Sequence, residues 1–434
     1  MARRKQTSPD VNLNLNVRGL KQSATLAINE RSAQLIREGR RVFRFGLGQS
    51  PFPVPQPVVD ELRANAHQKD YLPVRGLRGL RDAVAGYHRR MHGIERTGDD
   101  VLIGPGSKEL MFVLQLVYYG DLVIPTPSWV SYAPQARIVG RQIHWVPTKP
   151  ENDWRLMPED LDRACRDDPG RPRIVILNYP SNPTGDTYTA DELKALAKVA
   201  KKYKVILVSD EIYGELHHRG QHVSISRFYP EGTIISGGLS KWCGAGGWRL
   251  GTFTFPHTLH WLLEAMSTVA SETYTSTSAP IQYAAIRAFE GGLEIENYLV
   301  QSRRILRHLG RHVWYELQGV GAQVSEPVGG FYLFPDFSPL RERLARHGIT
   351  DSATLCERML EETGVATLPG ADFGRPAAEL TLRLAYVDFD GARTLAAAQQ
   401  VSLDQPLDRT FLEQYCPNVI HAATAMAQWI KKMK

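Results

Sequence analysis

An unprotonated lysine amine can condense with an aldehyde, and Lys241 in the run SGGLSKWCGAGGWRLG (236–251) sits among small residues, with Arg249 eight positions on. Glycine-rich backbone lets a flat ligand approach without Cβ clashes, so the segment suits covalent carbonyl chemistry. Taken alone, it reads more simply as a solvated lysine beside a glycine turn. Three groups upstream change that balance: Asn182, Asp210 and Tyr213 offer an amide, a carboxylate and a phenol.

The framework around these groups is legible in the stretch IVILNYPSNPTGDTYTADELKALAKVAKKYKVILVSDEIYGEL. Residues 174–177 form a short apolar β-rich run, and 178–185 are a turn cluster with two prolines and a glycine. Thr189 then caps a helix with Glu192 as its capping-box partner, and Ala190, Leu193, Leu196, Ala197 and Ala200 recur along one helical face. A second apolar run, 205–208, completes a βαβ unit with two parallel strands. Ligands bind beyond the carboxyl ends of such strands, which is where Asn182, Asp210 and Tyr213 fall. A helix cap at Asp210 and a turn at Asn182 would explain those two residues equally well without Lys241 and Arg249.

In order, NPTG, SDEIYGEL and SKWCGAGGWRLG resemble the signature segments of the class I and II aminotransferases, the fold type I enzymes that use pyridoxal 5'-phosphate. The likeness continues through GLGQSPFPVP, YLPVRGLRGLRDAV, GPGSKEL, PTPSWVSY, GGFYLFPDF and RLAYVDFD, roughly from residue 20 to 400. It implies an α/β fold: a large domain over 50–300 with a mostly parallel sheet flanked by helices, and a smaller α+β domain from 1–49 and 301–400. Residues 401–434 are then a helical extension.

The same resemblance implies roles. Lys241 would form the imine with the cofactor aldehyde and later carry the proton from the substrate Cα. Asp210 would keep the pyridine nitrogen protonated, making the ring an electron sink, while Tyr213 and Asn182 would hydrogen-bond its phenolic oxygen. Trp129 matches the ring-stacking aromatic. Arg249 matches the phosphate arginine, with Ser240 adding a hydroxyl, and Gly106, Ser107 and Lys108 would open a helix whose N–H groups face the phosphate. Gly238 stands three before the lysine where many relatives have serine, leaving Ser236 or Ser240 to replace that contact. Arg383 would grip the substrate α-carboxylate, Gly48 would pass near the substrate, and Tyr71 would reach the phosphate of a neighbouring subunit, making the enzyme a homodimer with a shared site. Phe331 and Tyr332 are candidates for the pocket wall or for the core.

Composition agrees with this assignment without implying it. A chain of 434 residues, 43% hydrophobic and 23% charged, can bury a large core in two domains. No apolar run is long enough to cross a bilayer, the basic start MARRKQTSPD lacks an apolar follow-on, and a cytoplasmic enzyme is expected. The net charge of +6 comes from basic residues scattered along the chain apart from both ends, so neither nucleic acid nor membrane is expected as a partner. Cys165, Cys243, Cys356 and Cys416 lack metal-site spacing, and no metal is expected; Cys243 would be reactive if it approached the cofactor, and otherwise a packing residue.

The activity expected is transfer of an amino group from an L-amino acid to a 2-oxo acid in two half-reactions. Lyase or oxidase chemistry on the same fold is the alternative. A cofactor-binding regulator is a third reading, but fewer than 50 residues precede the cofactor domain, too few for a DNA-binding module. No motif places a cation for a distal substrate carboxylate; Arg75 and Lys69, close to Tyr71, are the candidates. In the tail, Leu407, Phe411 and Leu412, then Ile420, Ala423, Ala427 and Ile430, have helical spacing on either side of Pro417.

Overall fold

A computed structural model describes residues 12–20 and 22–433. Its centre is a seven-stranded sheet in the order 101–104, 251–254, 233–238, 206–210, 173–178, 121–126, 143–147. Every pairing is parallel except those of Gly251–Thr254, which runs antiparallel to both neighbours.

Side chains alternate across each strand, so the continuous apolar run 174–177 feeds two cores. Ile174 and Ile176 pack with Leu110, Met111 and Leu262 on one face; Val175 and Leu177 pack with Leu161, Leu193 and Leu196 on the other. Helices Ser107–Val117 and His260–Glu272 thus cover the first face, and Pro158–Arg166 and Ala190–Lys202 the second. Thr189 and Glu192 form the anticipated capping box, each side chain accepting from the other's backbone N–H.

Beyond the long helix Leu293–Gln318, the strands Tyr332–Leu333, Leu368–Pro369 and Leu382–Ala385 make a small antiparallel sheet. Phe43–Arg44, far earlier in the chain, pairs in parallel with Val365–Ala366. The N-terminal segment is thereby tied beside the small sheet, and residues 46–49 run on into the space between it and the large one. The tail forms helices Arg409–Tyr415 and Pro417–Lys432, whose buried Ile420, Ala423, Ala427 and Ile430 join the core around the long helix.

Candidate active site

A cavity of about 610 Å³ opens past the carboxyl ends of strands 173–178 and 206–210. It gathers Gly48, Ser107, Lys108, Trp129, Asn182, Asp210, Tyr213, Ser240, Lys241, Arg249 and Arg383, drawn from widely separated parts of the sequence, together with Tyr332. Gly106 stands just behind the wall, and Tyr71 lies away from it, 90% exposed on its loop.

Lys241 Nζ donates to the carbonyl of Gly48 at 2.8 Å and lies 5.7 Å from the centre of the Tyr213 ring. Burial, with Arg383 and Arg249 nearby, pushes its pKa down to about 8, so the nucleophilic free amine is far more abundant near neutral pH than for an ordinary lysine and predominates above pH 8. Glycine is needed at 48 because a Cβ there would strike the Tyr332 ring and hydroxyl, which lie against this backbone.

Asp210 ends its strand with its carboxylate buried. Tyr132 donates to Oδ2 at 2.5 Å and Ser236 to Oδ1 at 3.2 Å. Burial dominates these contacts and raises the pKa to about 6. A carboxylate held away from water, without an ion-pair partner among the described residues, is suited to a cationic N–H entering from the cavity. Tyr213 exchanges a hydrogen bond with Tyr332 at 2.8 Å. Arg383 is buried; it donates to Gly46 O and, at 3.4 Å, to Asn182 Oδ1, and its guanidinium lies 4.9 Å from the Tyr332 ring centre. Its Nε is buried without a partner, which leaves donor capacity for an anion.

The phosphate-type cradle has a physical cause for each residue type. Gly106 caps helix Ser107–Val117 at φ +92°, and a Cβ there would collide with the Arg249 guanidinium. Arg249 donates to Gly246 O at 2.9 Å and Pro105 O at 3.3 Å from a left-handed backbone at φ +56°. Holding a non-glycine residue there costs about 1 kcal/mol, and what it yields is a guanidinium beside the N–H groups of a helix N-terminus. Lys108 Nζ lies 5.2 Å over the Trp129 ring.

Several expectations need correction. Ser236 is fully buried and bonded to Asp210, so it cannot serve a phosphate; only Ser240 of the two faces the cavity. Gly238 has φ +150° with Leu250 O and Gly251 Cα close to where a Cβ would sit, which explains glycine in place of serine. Cys243 is buried outside the cavity and burial drives its thiol pKa up, the opposite of reactivity. Arg75 pairs with Glu264 and Lys69 with Asp70, and neither reaches the cavity. Phe331 is core, whereas Tyr332 is wall. Sequence reasoning missed Tyr132, whose only signal is its position three residues after Trp129, with the two rings edge-on at 5.2 Å. Among the described residues no cluster could hold a metal ion, and no helix is long and apolar enough to cross a membrane.

A mostly parallel sheet with a buried lysine amine and a buried carboxylate at its ligand edge defines a fold type I aminotransferase. Residues 40–398 match the family model of aminotransferase class I and II, and the chain belongs to that family. Aspartate aminotransferase of Geobacillus stearothermophilus is 35% identical over 380 residues, 85% of this chain and 93% of its own. Asparagine–oxo-acid transaminase of Streptococcus mutans is 30% identical over 415 residues, 93% of this chain and 99% of its own. Among solved structures, the Thermus thermophilus aspartate aminotransferase with maleate matches with a TM-score of 0.82 at 29% identity, covering 96% of this chain and all of that one.

Proposed function

We propose that this aminotransferase uses pyridoxal 5'-phosphate to move the amino group of an acidic L-amino acid, aspartate first, to a 2-oxo dicarboxylic acid. The observation that carries this reading is the distribution of cations around one cavity. Arg249, Lys241 and Arg383 all line it, and Lys108 over Trp129 is a fourth charge, without an acidic partner among the described residues. A ligand carrying one phosphate and two carboxylates would use all of them. The printed names of relatives point the same way: several are aspartate aminotransferases, and the Thermus enzyme was solved with maleate, a dicarboxylate.

When bound, the cofactor would supply an aldehyde and a conjugated ring able to take up the electrons left at the substrate Cα. The remaining work belongs to side chains. Arg249, Ser107 and Ser240 hold the phosphate, Asp210 accepts the pyridine N–H, and Tyr213 and Asn182 donate to the phenolic oxygen. The Arg383 fork takes the α-carboxylate, and Lys108 the distal one. Lys241 Nζ removes the Cα proton as general base and later returns a proton to the oxo acid carbon in the reverse half-reaction.

Tyr71, exposed and without a role in its own chain's cavity, is assigned to the phosphate of a second copy, so that the working enzyme is a homodimer with shared sites, located in the cytoplasm. Borohydride reduction of the loaded protein followed by peptide mapping should label Lys241, and Lys241→Ala should lower turnover by about 10³-fold or more. A label on any other lysine would overturn the cofactor assignment. The donor assignment fails if an aliphatic or aromatic amino acid is converted faster than aspartate.

A further inference from the structure

A second cavity, of about 430 Å³, opens between helix Leu293–Gln318 and the loop 403–406, and it shares no lining residue with the catalytic one. Positions 300, 303, 304, 307 and 308 recur at i, i+3, i+4, i+7 and i+8 and so share one helix face. Four of the five are Arg303, Arg304, Arg307 and His308, and Arg219 joins them from the loop that follows the catalytic Asp210 and Tyr213. This clustering is invisible in a scan for basic runs, because the helix turn brings together residues that apolar Ile305 and Leu306 separate.

The charges are unevenly answered. Arg304 is buried and donates to the backbone carbonyls of Val401 at 2.9 Å and Ser402 at 2.7 Å, which fastens the loop without neutralising the guanidinium. Arg303 pairs with Glu215, whose carboxylate also accepts from the Tyr87 hydroxyl at 2.6 Å. Asp404, exposed on the loop, accepts from Ser402. Four guanidiniums therefore face two carboxylates, and among the described residues the Arg219 and Arg307 side chains have no hydrogen-bond or ion-pair partner. Burial and the neighbouring Arg307, Arg304 and Arg311 together lower the pKa of His308, as a positive field would. Exposed Val300 and Leu403 and the adjoining Pro406 give the same cavity an apolar rim.

We propose that this cleft is a second binding site, built for the doubly charged phosphate group of a small organic phosphate ester. Arg219 and Arg307 would take the phosphate oxygens, the geometry in which planar guanidinium donors are strongest, and the rim would cover the organic part. The segment 210–219 runs from the catalytic carboxylate to this cleft, and Arg303 Nε holds its Glu215 carbonyl at 2.6 Å.

The test is calorimetric titration of the cofactor-loaded enzyme, whose catalytic phosphate position is already filled, with phenyl phosphate and with inorganic phosphate against chloride at matched ionic strength. Saturable binding is expected for both, tighter for phenyl phosphate, and the double variant Arg219→Gln/Arg307→Gln should lose at least tenfold in affinity while keeping its turnover and melting temperature. Binding unchanged in the variant, or heats no different from chloride, would overturn the site. Equal affinity for the two phosphates would overturn the ester assignment.

Discussion

Tyr132 and Lys241 illustrate what a single residue can and cannot disclose. Asp210, Tyr213 and Asn182 drew notice because each sits within a few positions of an expected strand end, and Lys241 because it sits among small residues; their roles were read from the resemblance of the surrounding motifs to the aminotransferases. Tyr132 was not: the distance from Tyr132 to Asp210 is set by the sheet, across 78 positions of sequence. Its hydroxyl lowers the Asp210 pKa against the larger effect of burial, so Tyr132→Phe should move the acid limb of the kcat profile to higher pH and lower kcat roughly tenfold, the scale of one charge-assisted hydrogen bond. An unchanged acid limb would show that the hydroxyl does not tune the carboxylate. For Lys241 the reactive form is the free amine, present above its folded pKa of about 8. The rate at which cofactor-free enzyme condenses with pyridoxal phosphate should therefore rise with pH and level off above about 8. A rate flat from pH 6 to 9 would exclude Lys241 as the titrating nucleophile.

At the scale of elements, local pattern was sufficient where the element is locally determined. The strand expected over 174–177 is Arg173–Asn178, and that expected over 205–208 is Ile206–Asp210, with the capped helix Ala190–Lys202 between them. Backbone conformation was not readable: nothing in the string SGGLSK announces that Gly238 sits at φ +150°, or that Ser236 points into the carboxylate rather than the cavity. Gly106 offers the sharpest test. An alanine there meets both an unfavourable positive φ and the Arg249 guanidinium, so Gly106→Ala should weaken cofactor affinity by about tenfold or more while the helix itself persists, as read by equilibrium dialysis beside far-UV circular dichroism. Retention of full affinity would mean the cradle tolerates a methyl group, contrary to the geometry.

The whole molecule carries an acid-sensitive interior that no motif suggested. His88 has its pKa lowered to about 3 and His217 and His218 to about 4, each chiefly by burial. In the unfolded chain these imidazoles take up protons below pH 6.5, whereas in the folded protein they stay neutral, so the unfolded state binds more protons and stability falls with falling pH between about 6.5 and 4. Each group contributes about 1.4 kcal/mol per pH unit at most within that window. Glu211 acts at lower pH: burial opposes its ionisation, yet His222 at 2.8 Å and other partners bring its pKa down to about 2, so its contribution is full at neutral pH and is lost only below about pH 4.5. Urea midpoints should drop steadily from pH 7 to 5, and His88→Gln should flatten that slope; a midpoint independent of pH over this range would contradict the buried neutral imidazoles.

The hydrogen bond from Lys241 to the Gly48 carbonyl carries a consequence for how the N-terminal segment behaves. The free amine has protons to give that carbonyl, whereas the same nitrogen bound to an aldehyde carbon would keep at most one, so tethering the peptide strap at 46–49 would compete with holding the aldehyde. Loading would then loosen the strap, and an amino acid that displaced the lysine would give the amine back the protons that hold it. One amine would thus couple the covalent state of the site to a stretch of chain nearly two hundred positions away.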